Sequence, residues 1–356
     1  MKGRESVPSI SVIMPAYRVE NYIERAVNSL LNQTFRDFEL IIVDDGSPDN
    51  TGRIADSLAA QDDRVHVIHQ PNAGAPIARN RAMKVAQGRY FFFMDADDWA
   101  EKDMLAGMYD LAEKNNLQAV VAGFYIDTYY DDVHFTRQIL SQPDEIFASQ
   151  AEFRSAAYRL FDKNLLYAPW NKLCRADYLQ EKGICFPNTF WDDFPFNLAV
   201  FRDIERVGVT EKAYYHFIRA RAESETARYR ANMYEKREDE NKWMIELYDH
   251  WQVHDEASRE MIARRYAERV VGCIENVANP TCPESHRQKL KTLKAMLVNP
   301  ALKQALDIAR PRSMMMHILF FSLKTGCTTL VLCEGIFISF VKRHFVRLFA
   351  QLKARR

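Results

Sequence analysis

The chain has 356 residues, and 47% of them are hydrophobic, so it can form one large domain with an appendage or two domains. The 48 basic and 48 acidic residues cancel, which gives no overall drive toward nucleic acid. The six cysteines are widely spaced without a C-x-x-C pair, which favours reduced thiols over a disulfide framework. The N-terminal MKGRESVPSISVIMPAY has no apolar stretch before a cleavage site, so we expect no secretory signal.

Residues 10–98 alternate strand and helix patterns in chain order. ISVIMPAY, FELIIVDDGS, RVHVIHQ and YFFFM each predict a strand, and YFFFM is apolar enough to be buried on both faces. ENYIERAVNSLLNQ has apolar residues at helical spacing, Asp49 or Asn50 can begin a second helix, and Gly88 ends a third. This alternation predicts an α/β fold with a mostly parallel sheet and helices on both faces.

The rest of the chain divides by composition into three further parts. Residues 101–226 mix strands and helices and form, with residues 8–100, one predicted α/β domain over 1–226, whereas 227–312 is helical, charged and amphipathic. Residues 313–356 are apolar and then basic, and their apolar stretches are interrupted by His317, Lys324 and Glu334. Two interrupted apolar segments with a basic end favour a surface-bound membrane anchor over a spanning helix. The alternatives are a helical pair packed on the main domain and a dimer contact.

Carboxylates stand where the predicted strands end. Asp44 and Asp45 follow the second strand, and Asp95, Asp97 and Asp98 follow the fourth. Clustered carboxylates repel one another and resist burial, so a divalent cation is expected beside them. The alternative is a solvated turn in which Asp98 caps the next helix. Because ligands of open α/β sheets bind at the carboxyl ends of the strands, these residues and Arg79 would suit a nucleotide diphosphate with Mg²⁺ or Mn²⁺.

At this point the sequence resembles the family 2 glycosyltransferases, which have the GT-A fold, a Rossmann-like α/β fold. The resemblance covers residues 9–100 and rests on four motifs in order: PAY, DDGS, NAGAPIARN and an apolar strand that ends in DADD. One departure is Ala82, where the family often has glycine.

The resemblance implies a role for each matched residue. Asp44 would accept a hydrogen bond from the uracil of a UDP-sugar, and Asp97 would bind Mn²⁺ or Mg²⁺ that bridges the diphosphate. Asp95 would contact the ribose or the sugar and could share the metal. Asp45 could orient the turn instead of contacting the base. The other residues implied to line the nucleotide-sugar site are Pro15, Ala16, Tyr17, Asn72, Arg79 and Ala96.

The second half of the predicted domain would supply the catalytic base. FWDDFPF resembles the family's aromatic-Glu-Asp-x-x-Phe motif, so Asp193 matches the base and Asp192 stands where glutamate is usual. Such a base takes the proton of the acceptor hydroxyl during a displacement that inverts the sugar's anomeric configuration. The alternative is that one of the two aspartates caps a helix that begins near Phe194.

Two further segments resemble the family more weakly. PWNKLCRADYL suggests Trp170 and Lys172 on the acceptor side, with core packing as the alternative for Trp170. HFIRARAESET suggests Arg219, Arg221 and Ser224 near the diphosphate, with solvated arginines as the alternative.

The resemblance therefore implies a metal-dependent, inverting glycosyltransferase that uses a UDP-sugar. Its acceptor would be a glycan or a lipid-linked saccharide at the cytoplasmic face of the inner membrane, as in the synthesis of O-antigen, capsule or exopolysaccharide. The alternatives are a nucleotidyltransferase, which would need a glycine-rich loop with a lysine after the first strand, and a non-catalytic sugar-nucleotide-binding protein. The donor sugar, a dTDP or GDP donor and the oligomeric state stay open.

Overall fold

The computed structural model describes residues 7–129, 134–189, 191–219 and 229–344. The chain divides into two compact units, residues 1–220 and 221–356. The boundary predicted at 226/227 lies outside the described residues.

The first unit is built on one twisted sheet with ten described strands. They are β1 Ile10–Ala16, β2 Phe38–Asp44, β3 Val65–His69, β4 Tyr90–Phe93, β5 Trp99–Ala100, β6 Ala119–Tyr129, β7 Phe135–Leu140, β8 Glu145–Phe147, β9 Lys172–Arg175 and β10 Val207–Arg219. Their order is β3-β2-β1-β4-β9-β6-β10-β5, with β7 beside β6 and β8 beside β10. Along the path from β3 to β10 only β9 runs opposite to the others, so the predicted mainly parallel sheet is confirmed.

Seven helices accompany this sheet within the described part of the first unit. They are α1 Ile23–Leu31, α2 Thr51–Ala59, α3 Ala75–Val85, α4 Met104–Lys114, α5 Gln150–Asp162, α6 Ala176–Glu181 and α7 Asp193–Arg202. Every residue of β2 and β4 is buried, so the sheet is covered on both faces at these strands, as the apolar sequence of β4 predicted. All six cysteines are free.

The second unit is helical over its described residues, as the charged amphipathic pattern predicted. Its helices are α8 Met233–Trp251, α9 Glu256–Ala278, α10 His286–Val298, α11 Pro300–Ile308, α12 Met314–Thr325 and α13 Thr328–His344. α9 lies at the centre, where its apolar side chains from Tyr266 to Ala278 pack against α8, α10, α11 and α13. Among residues 7–129, 134–189, 191–219 and 229–344, we find no helix that is both long and apolar enough to cross a bilayer.

Candidate functional site

The carboxyl ends of β1, β2 and β4 meet at one edge of the sheet. β1 pairs with β2 in parallel, with Ala16 opposite Asp44, and with β4 on its other side, with Ile13 opposite Phe93. Asp95 therefore leaves β4 two residues beyond this last pair, beside the end of β1. The sheet topology brings together the three motifs that the sequence placed at strand ends.

The two aspartates after β2 have different partners. Asp45 holds the loop before α3, because its carboxylate accepts hydrogen bonds from Gln70 Nε2 (2.6 Å), Ala73 N (2.9 Å) and Gly74 N (2.7 Å). Asp44 accepts one from Ser47 N at 3.1 Å and contacts the ring of a histidine on β3 with its other oxygen. The contacts of Asp45 fit the turn-orienting role, whereas Asp44 contacts the turn after β2 and the neighbouring strand β3.

The loop held by Asp45 packs against the turn after β2. Gly46 has φ of 69°, and a Cβ atom there would lie 2.8 Å from Asn72 N, so only glycine fits this turn. Tyr17 is 42% exposed and Asn72 is also exposed, whereas Ala16 is buried and accepts the backbone N–H of Asp45 at 2.9 Å. Pro15 is half-buried. Tyr17 and Asn72 therefore offer accessible side chains beside this turn.

Arg79 joins the end of β4 to the start of α7. Its guanidinium donates to Asp95 Oδ1 at 2.7 Å through Nη2 and to Asp192 Oδ2 at 2.9 Å through Nη1. Asp193 Oδ1 lies 3.4 Å from the same Nη1. Arg79 is only 5% exposed, so this contact is made in the interior of the site. One arginine therefore brings the carboxylates implied for the donor and for the catalytic base into a single cluster.

The cluster carries more negative than positive charge, and the pKa values of its acids are shifted accordingly. Burial, followed by the repulsion of Asp95 and Asp192, raises the pKa of Asp193 to about 7 despite the opposing charge of Arg79. Burial also raises the pKa of Asp192. Asp193 Oδ1 is buried and accepts no hydrogen bond within the described chain, and its ion-pair contact with Arg79 at 3.4 Å is longer than the two hydrogen bonds that Arg79 makes.

The residue before these aspartates has an unusual backbone. Trp191 has φ of 65°, in the left-handed region that bulky side chains rarely adopt. Such a conformation costs of order 1–3 kcal/mol and persists where the surrounding structure requires it. Here it precedes the first residues of α7, whose N-terminus carries Asp192 and Asp193. Asp192 occupies the N-cap position of α7 but makes no capping hydrogen bond, so its side chain is available to Arg79.

Asp95 and Asp97 supply oxygen donors that suit a hard divalent cation. The surrounding protein desolvates Asp97 although its side chain is accessible, and Asp95 repels it, so the pKa of Asp97 rises to about 6. No three His, Cys, Asp or Glu side chains come together as a metal site within the described ranges. Mg²⁺ is commonly bound by one or two carboxylates together with substrate phosphates. The residues present therefore fit a cation that arrives with a diphosphate.

The DADD segment is fixed from two sides. Arg25 on α1 donates to the carbonyl oxygen of Asp97 at 2.8 Å. Tyr215 on β10 accepts the backbone N–H of Asp95 at 3.1 Å and donates its own hydroxyl to Asp98 at 2.7 Å. Ala96 is buried between the two acids. This arrangement holds the backbone of the segment that carries Asp95 and Asp97.

Asp98 does not cap the next helix, and that alternative is wrong. Its side chain is 1% exposed and accepts hydrogen bonds from Tyr215 and from Ile218 N, both at 2.7 Å. α4 begins six residues later at Met104. Burial, with the charges of Asp97 and Asp95, raises the pKa of Asp98 well above its ordinary value. The contact of Asp98 with Tyr215 supports the site, and local sequence pattern did not reveal it.

Trp170 and Lys172 lie inside the protein. Trp170 is 6% exposed and stacks on Tyr215 with ring centroids 4.6 Å apart, so it supports the tyrosine that holds the DADD segment. Lys172 donates from Nζ to Ala168 O and to Asn171 Oδ1, and burial lowers its pKa to about 7. The core-packing alternative for Trp170 describes this geometry, and neither side chain faces open solvent.

The remaining implied phosphate ligands fall at the end of β10. The Arg219 guanidinium lies 5.7 Å from the centroid of the Phe217 ring, and burial lowers its pKa. Arg221 and Ser224 lie outside the described residues. His216, on the same strand, is packed between the rings of Trp99 and Tyr125.

Residues 11–181 match the family model named glycosyl transferase family 2. This chain carries a glycosyl transferase family 2 domain. The implied family is therefore confirmed for residues 11–181, and the protein is a glycosyltransferase, as the implied enzyme class predicted.

Two curated proteins illustrate the similarity. The glycosyltransferase EpsJ of Bacillus subtilis (strain 168) is 29% identical over 81% of this chain and 83% of its own length. The hyaluronan synthase of Pasteurella multocida is 43% identical over 27% of this chain and 10% of its own length.

The fold is similar to that of S. aureus TarS 1-349, whose crystal structure contains UDP-GlcNAc. The TM-score is 0.63 at 19% identity, and the alignment covers 94% of this chain and 91% of that one. The GT-A type of α/β fold, with its helical C-terminal region, is thereby confirmed. Asp192 and Asp193 lie beyond the matched residues 11–181, so their place in the glycosyltransferase site depends on their contact with Arg79.

Proposed function

We propose that this glycosyltransferase moves a hexosyl or N-acetylhexosaminyl group from a UDP-sugar to a hydroxyl of a glycan acceptor, with inversion and with a divalent metal. The observation that carries the proposal is the bridge through Arg79, which connects Asp95 at 2.7 Å with Asp192 at 2.9 Å and places Asp193 at 3.4 Å. A donor held by the DADD segment would then lie next to a carboxylate that can remove a proton.

The donor would bind along the edge formed by β1, β2 and β4. Asp44 would accept the N3–H of uracil, as the family resemblance implies, while its neighbour Asp45 holds the loop before α3. Further residues proposed for the nucleotide are Pro15, Ala16, Tyr17 and Asn72, with Ala96, Arg219, Arg221 and Ser224 toward the sugar and the diphosphate. Trp170 and Lys172 are buried, so they would support the acceptor side through packing and would not contact the acceptor directly.

Asp97 and Asp95 would hold Mn²⁺ or Mg²⁺. Such a cation supplies Lewis-acid stabilisation of the negative charge that develops on the leaving UDP. The raised pKa of Asp97 supports this assignment, because a crowded carboxylate gains most from a neighbouring cation. The protein residues position the carboxylates, and Arg79 balances part of their charge.

Asp193 would act as the general base. Its carboxylate removes the proton of the acceptor hydroxyl as that oxygen forms a bond to the anomeric carbon, while the bond from this carbon to the UDP oxygen breaks. A pKa of about 7 suits this role, since the base is ionised above neutral pH and still basic enough to hold a proton. Arg79 orients Asp192 and Asp193 and stabilises their ionised forms.

The relatives support a place in cell-surface polysaccharide synthesis. The hyaluronan synthase makes a polysaccharide by its name, and the TarS structure contains UDP-GlcNAc. We extend both features to this chain and propose a glycan or lipid-linked saccharide as the acceptor. The catalytic domain would extend over residues 1–226, followed by a helical region over 227–312.

The first test is UDP release from a panel of UDP-sugars, with Mn²⁺ or with EDTA. Slow donor hydrolysis needs no known acceptor, so release that requires the metal would identify the donor sugar. The Asp97→Ala variant should lose this release, whereas Asp110→Ala, an exposed aspartate on α4, should retain it. Absence of both release and UDP binding in calorimetry would contradict a UDP-sugar donor.

We also propose that residues 313–356 bind the cytoplasmic surface of the inner membrane. α12 and α13 pack one side against α9, yet their opposite sides expose large apolar residues. Phe321 and Phe337 are 69% and 67% exposed. The segment has seven basic residues and one acid, a charge that favours anionic lipids.

A sedimentation assay with lipid vesicles tests this surface. The full-length protein should pellet with phosphatidylglycerol-rich vesicles and much less with phosphatidylcholine vesicles. Burial of two aromatic side chains is worth roughly 3 kcal/mol or more, so Phe321→Ser with Phe337→Ser should weaken binding by at least about 100-fold. Ile139→Ser is the control, because Ile139 is an exposed apolar residue of β7 in the first unit. Equal pelleting of wild type and the double variant would contradict a lipid-binding role for α12 and α13.

A further inference from the structure

Two neighbouring residues of α3 hold the part of the chain that leads to the proposed base. Arg79 contacts Asp192 and Asp193 through its guanidinium. Asn80, the next residue, pairs with Phe186, which lies seven positions before Asp193 in the chain. Asn80 belongs to the NAGAPIARN motif, in which the resemblance gave it no role. α3 therefore holds this part of the chain at two points.

The side-chain amide of Asn80 pairs with the backbone of Phe186 in both directions. Its Nδ2 donates to the carbonyl oxygen of Phe186 at 2.7 Å, and its Oδ1 accepts the backbone N–H of Phe186 at 2.8 Å. Asparagine and glutamine are the side chains that carry an amide donor and an amide acceptor together. Inside a helix, asparagine costs up to about 0.7 kcal/mol relative to alanine. This double pairing accounts for an asparagine in the interior of α3.

Phe186 connects the end of β4 with α7. It is 2% exposed, and its ring stacks on Phe196 of α7 with ring centroids 3.8 Å apart. It also meets Phe93, the last residue of β4, edge-on at 5.1 Å, and Phe93 and Phe196 contact each other at 5.3 Å. Asp95 follows Phe93 by two residues, and Phe196 follows Asp193 by three. The three rings therefore fix the spacing between the strand that leads to the donor acids and the helix that carries the proposed base.

We propose that Asn80 is a positioning residue for the general base, and that its pairing with Phe186 fixes where Asp193 lies relative to the donor. Asn80 acts through Phe186, whose ring packs against α7. The guanidinium carbon of Arg79 lies 5.1 Å from the centroid of the same ring, so the arginine that contacts Asp193 packs on the residue that Asn80 holds. This inference rests on the proposed function, which assigns the base to Asp193.

The loss of this pairing should affect turnover and not donor binding. Asn80→Ala removes both hydrogen bonds to Phe186 and leaves the acids of the DADD segment unchanged. Displacement of a reacting group by about 1 Å can lower a rate about 100-fold, so kcat should fall about 10- to 100-fold. UDP affinity should change by less than about threefold. A role in stability alone would not separate the two, since unfolded protein lowers the apparent kcat and the number of UDP sites together.

UDP release and calorimetry on the full chain test the inference without a known acceptor. In slow donor hydrolysis water takes the place of the acceptor hydroxyl, and Asp193 would remove its proton. The rate of UDP release from the donor that the panel identifies, at saturating donor, gives kcat. Titration of UDP with Mn²⁺ into the same preparation gives the affinity and the fraction of folded protein. Asn28→Ala, at an exposed asparagine of α1, is the control and should leave both quantities unchanged.

The outcomes separate this inference from the proposed function. Undiminished UDP release in Asp193→Asn would remove the base from that residue and overturn the proposed assignment together with the inference. A loss in Asp193→Asn without a loss in Asn80→Ala would overturn the inference alone, as would a parallel loss of kcat and UDP affinity in Asn80→Ala.

Phe186→Leu provides a second variant on the other side of the pairing. It keeps the backbone groups that pair with Asn80 but removes the ring contacts with Phe93 and Phe196. The variant should therefore show a fall in kcat at unchanged UDP affinity, as Asn80→Ala does. A wild-type kcat in Phe186→Leu would also overturn the inference.

Discussion

Two buried charge clusters of this protein have opposite compositions. In the first unit one arginine, 5% exposed, faces three aspartates, and in the second unit one glutamate, also 5% exposed, faces three arginines. The members are Arg79 with Asp95, Asp192 and Asp193, and Glu240 with Arg237, Arg265 and Arg269.

The electrostatic consequences of the two clusters differ. Burial and mutual repulsion raise the pKa of Asp193 to about 7, so its protonation changes near neutral pH. Although burial opposes it, the three arginines lower the pKa of Glu240 to about 2, so that carboxylate stays ionised. The acid-rich cluster at the end of the sheet can exchange a proton and attract a cation, whereas the glutamate among three arginines keeps its negative charge. Shifted pKa values therefore indicate function only when the direction of the shift leaves the group able to react.

Replacement of the proposed base should have the largest effect. Asp193→Asn keeps the size of the side chain but cannot accept the hydroxyl proton, so kcat should fall about 10³-fold while donor affinity changes by less than about threefold. In the wild type, kcat/KM should fall about tenfold per pH unit below about pH 7, since Asp193 must be ionised. Steady-state transfer assays across pH measure both effects.

Asp192→Asn is the matched control for this experiment. Asp192 contacts Arg79 at 2.9 Å but is not proposed to transfer a proton. Asp192→Asn should therefore keep the fall of kcat/KM below about pH 7, and it should lose less activity than Asp193→Asn. A loss of donor binding in Asp193→Asn, with turnover preserved, would place Asp193 on the donor and not on the acceptor hydroxyl.

Removal of Arg79 should have the next largest effect, and it should appear in stability. Arg79→Leu leaves three carboxylates without the buried charge that they face, and loss of one partner of such a pair costs about 4 kcal/mol. The acids would then have pKa values raised further above their unfolded values. The loss should be full above about pH 8 and smaller near pH 5, where protonation relieves the repulsion.

Urea denaturation at both pH values measures this loss, with Arg81→Leu as control. Arg81 is an exposed arginine on the same helix, and its replacement should cost less than about 1 kcal/mol. Equal stability of Arg79→Leu and wild type at pH 8 would show that the cluster does not depend on its arginine.

The fold and the donor edge could be predicted from sequence because their signals are local. The apolar YFFFM becomes the fully buried β4, and the acids that follow must emerge at the edge where parallel strands end. The contacts of Arg79 with Asp192 and of Tyr215 with Asp98 join residues 113 and 117 positions apart, which no local pattern contains. Lys172 looked like a polar residue of the acceptor side. It is buried because β9 inserts between β4 and β6 in the middle of the sheet.

Replacement of Glu240 tests the other cluster and should have the smallest of these three effects. The pKa of Glu240 falls from an ordinary 4.5 to about 2, a difference worth roughly 3 kcal/mol, which Glu240→Gln should lose at pH 7. A lowered pKa stabilises the fold above pH 4.5 and ceases to do so as the pH falls toward 2. The variant should therefore differ from the wild type most at neutral pH and least near pH 2, whereas the loss in Arg79→Leu already declines between about pH 8 and pH 5. Glu246 is an exposed partner of Lys242 on the same helix, so Glu246→Gln is the control and should change stability by less than about 0.5 kcal/mol.

UDP binding shows whether the Glu240 cluster serves stability alone. Glu240→Gln should lose stability while its UDP affinity stays unchanged. A loss of UDP affinity in parallel with the loss of stability would contradict a purely structural role for the Glu240 cluster.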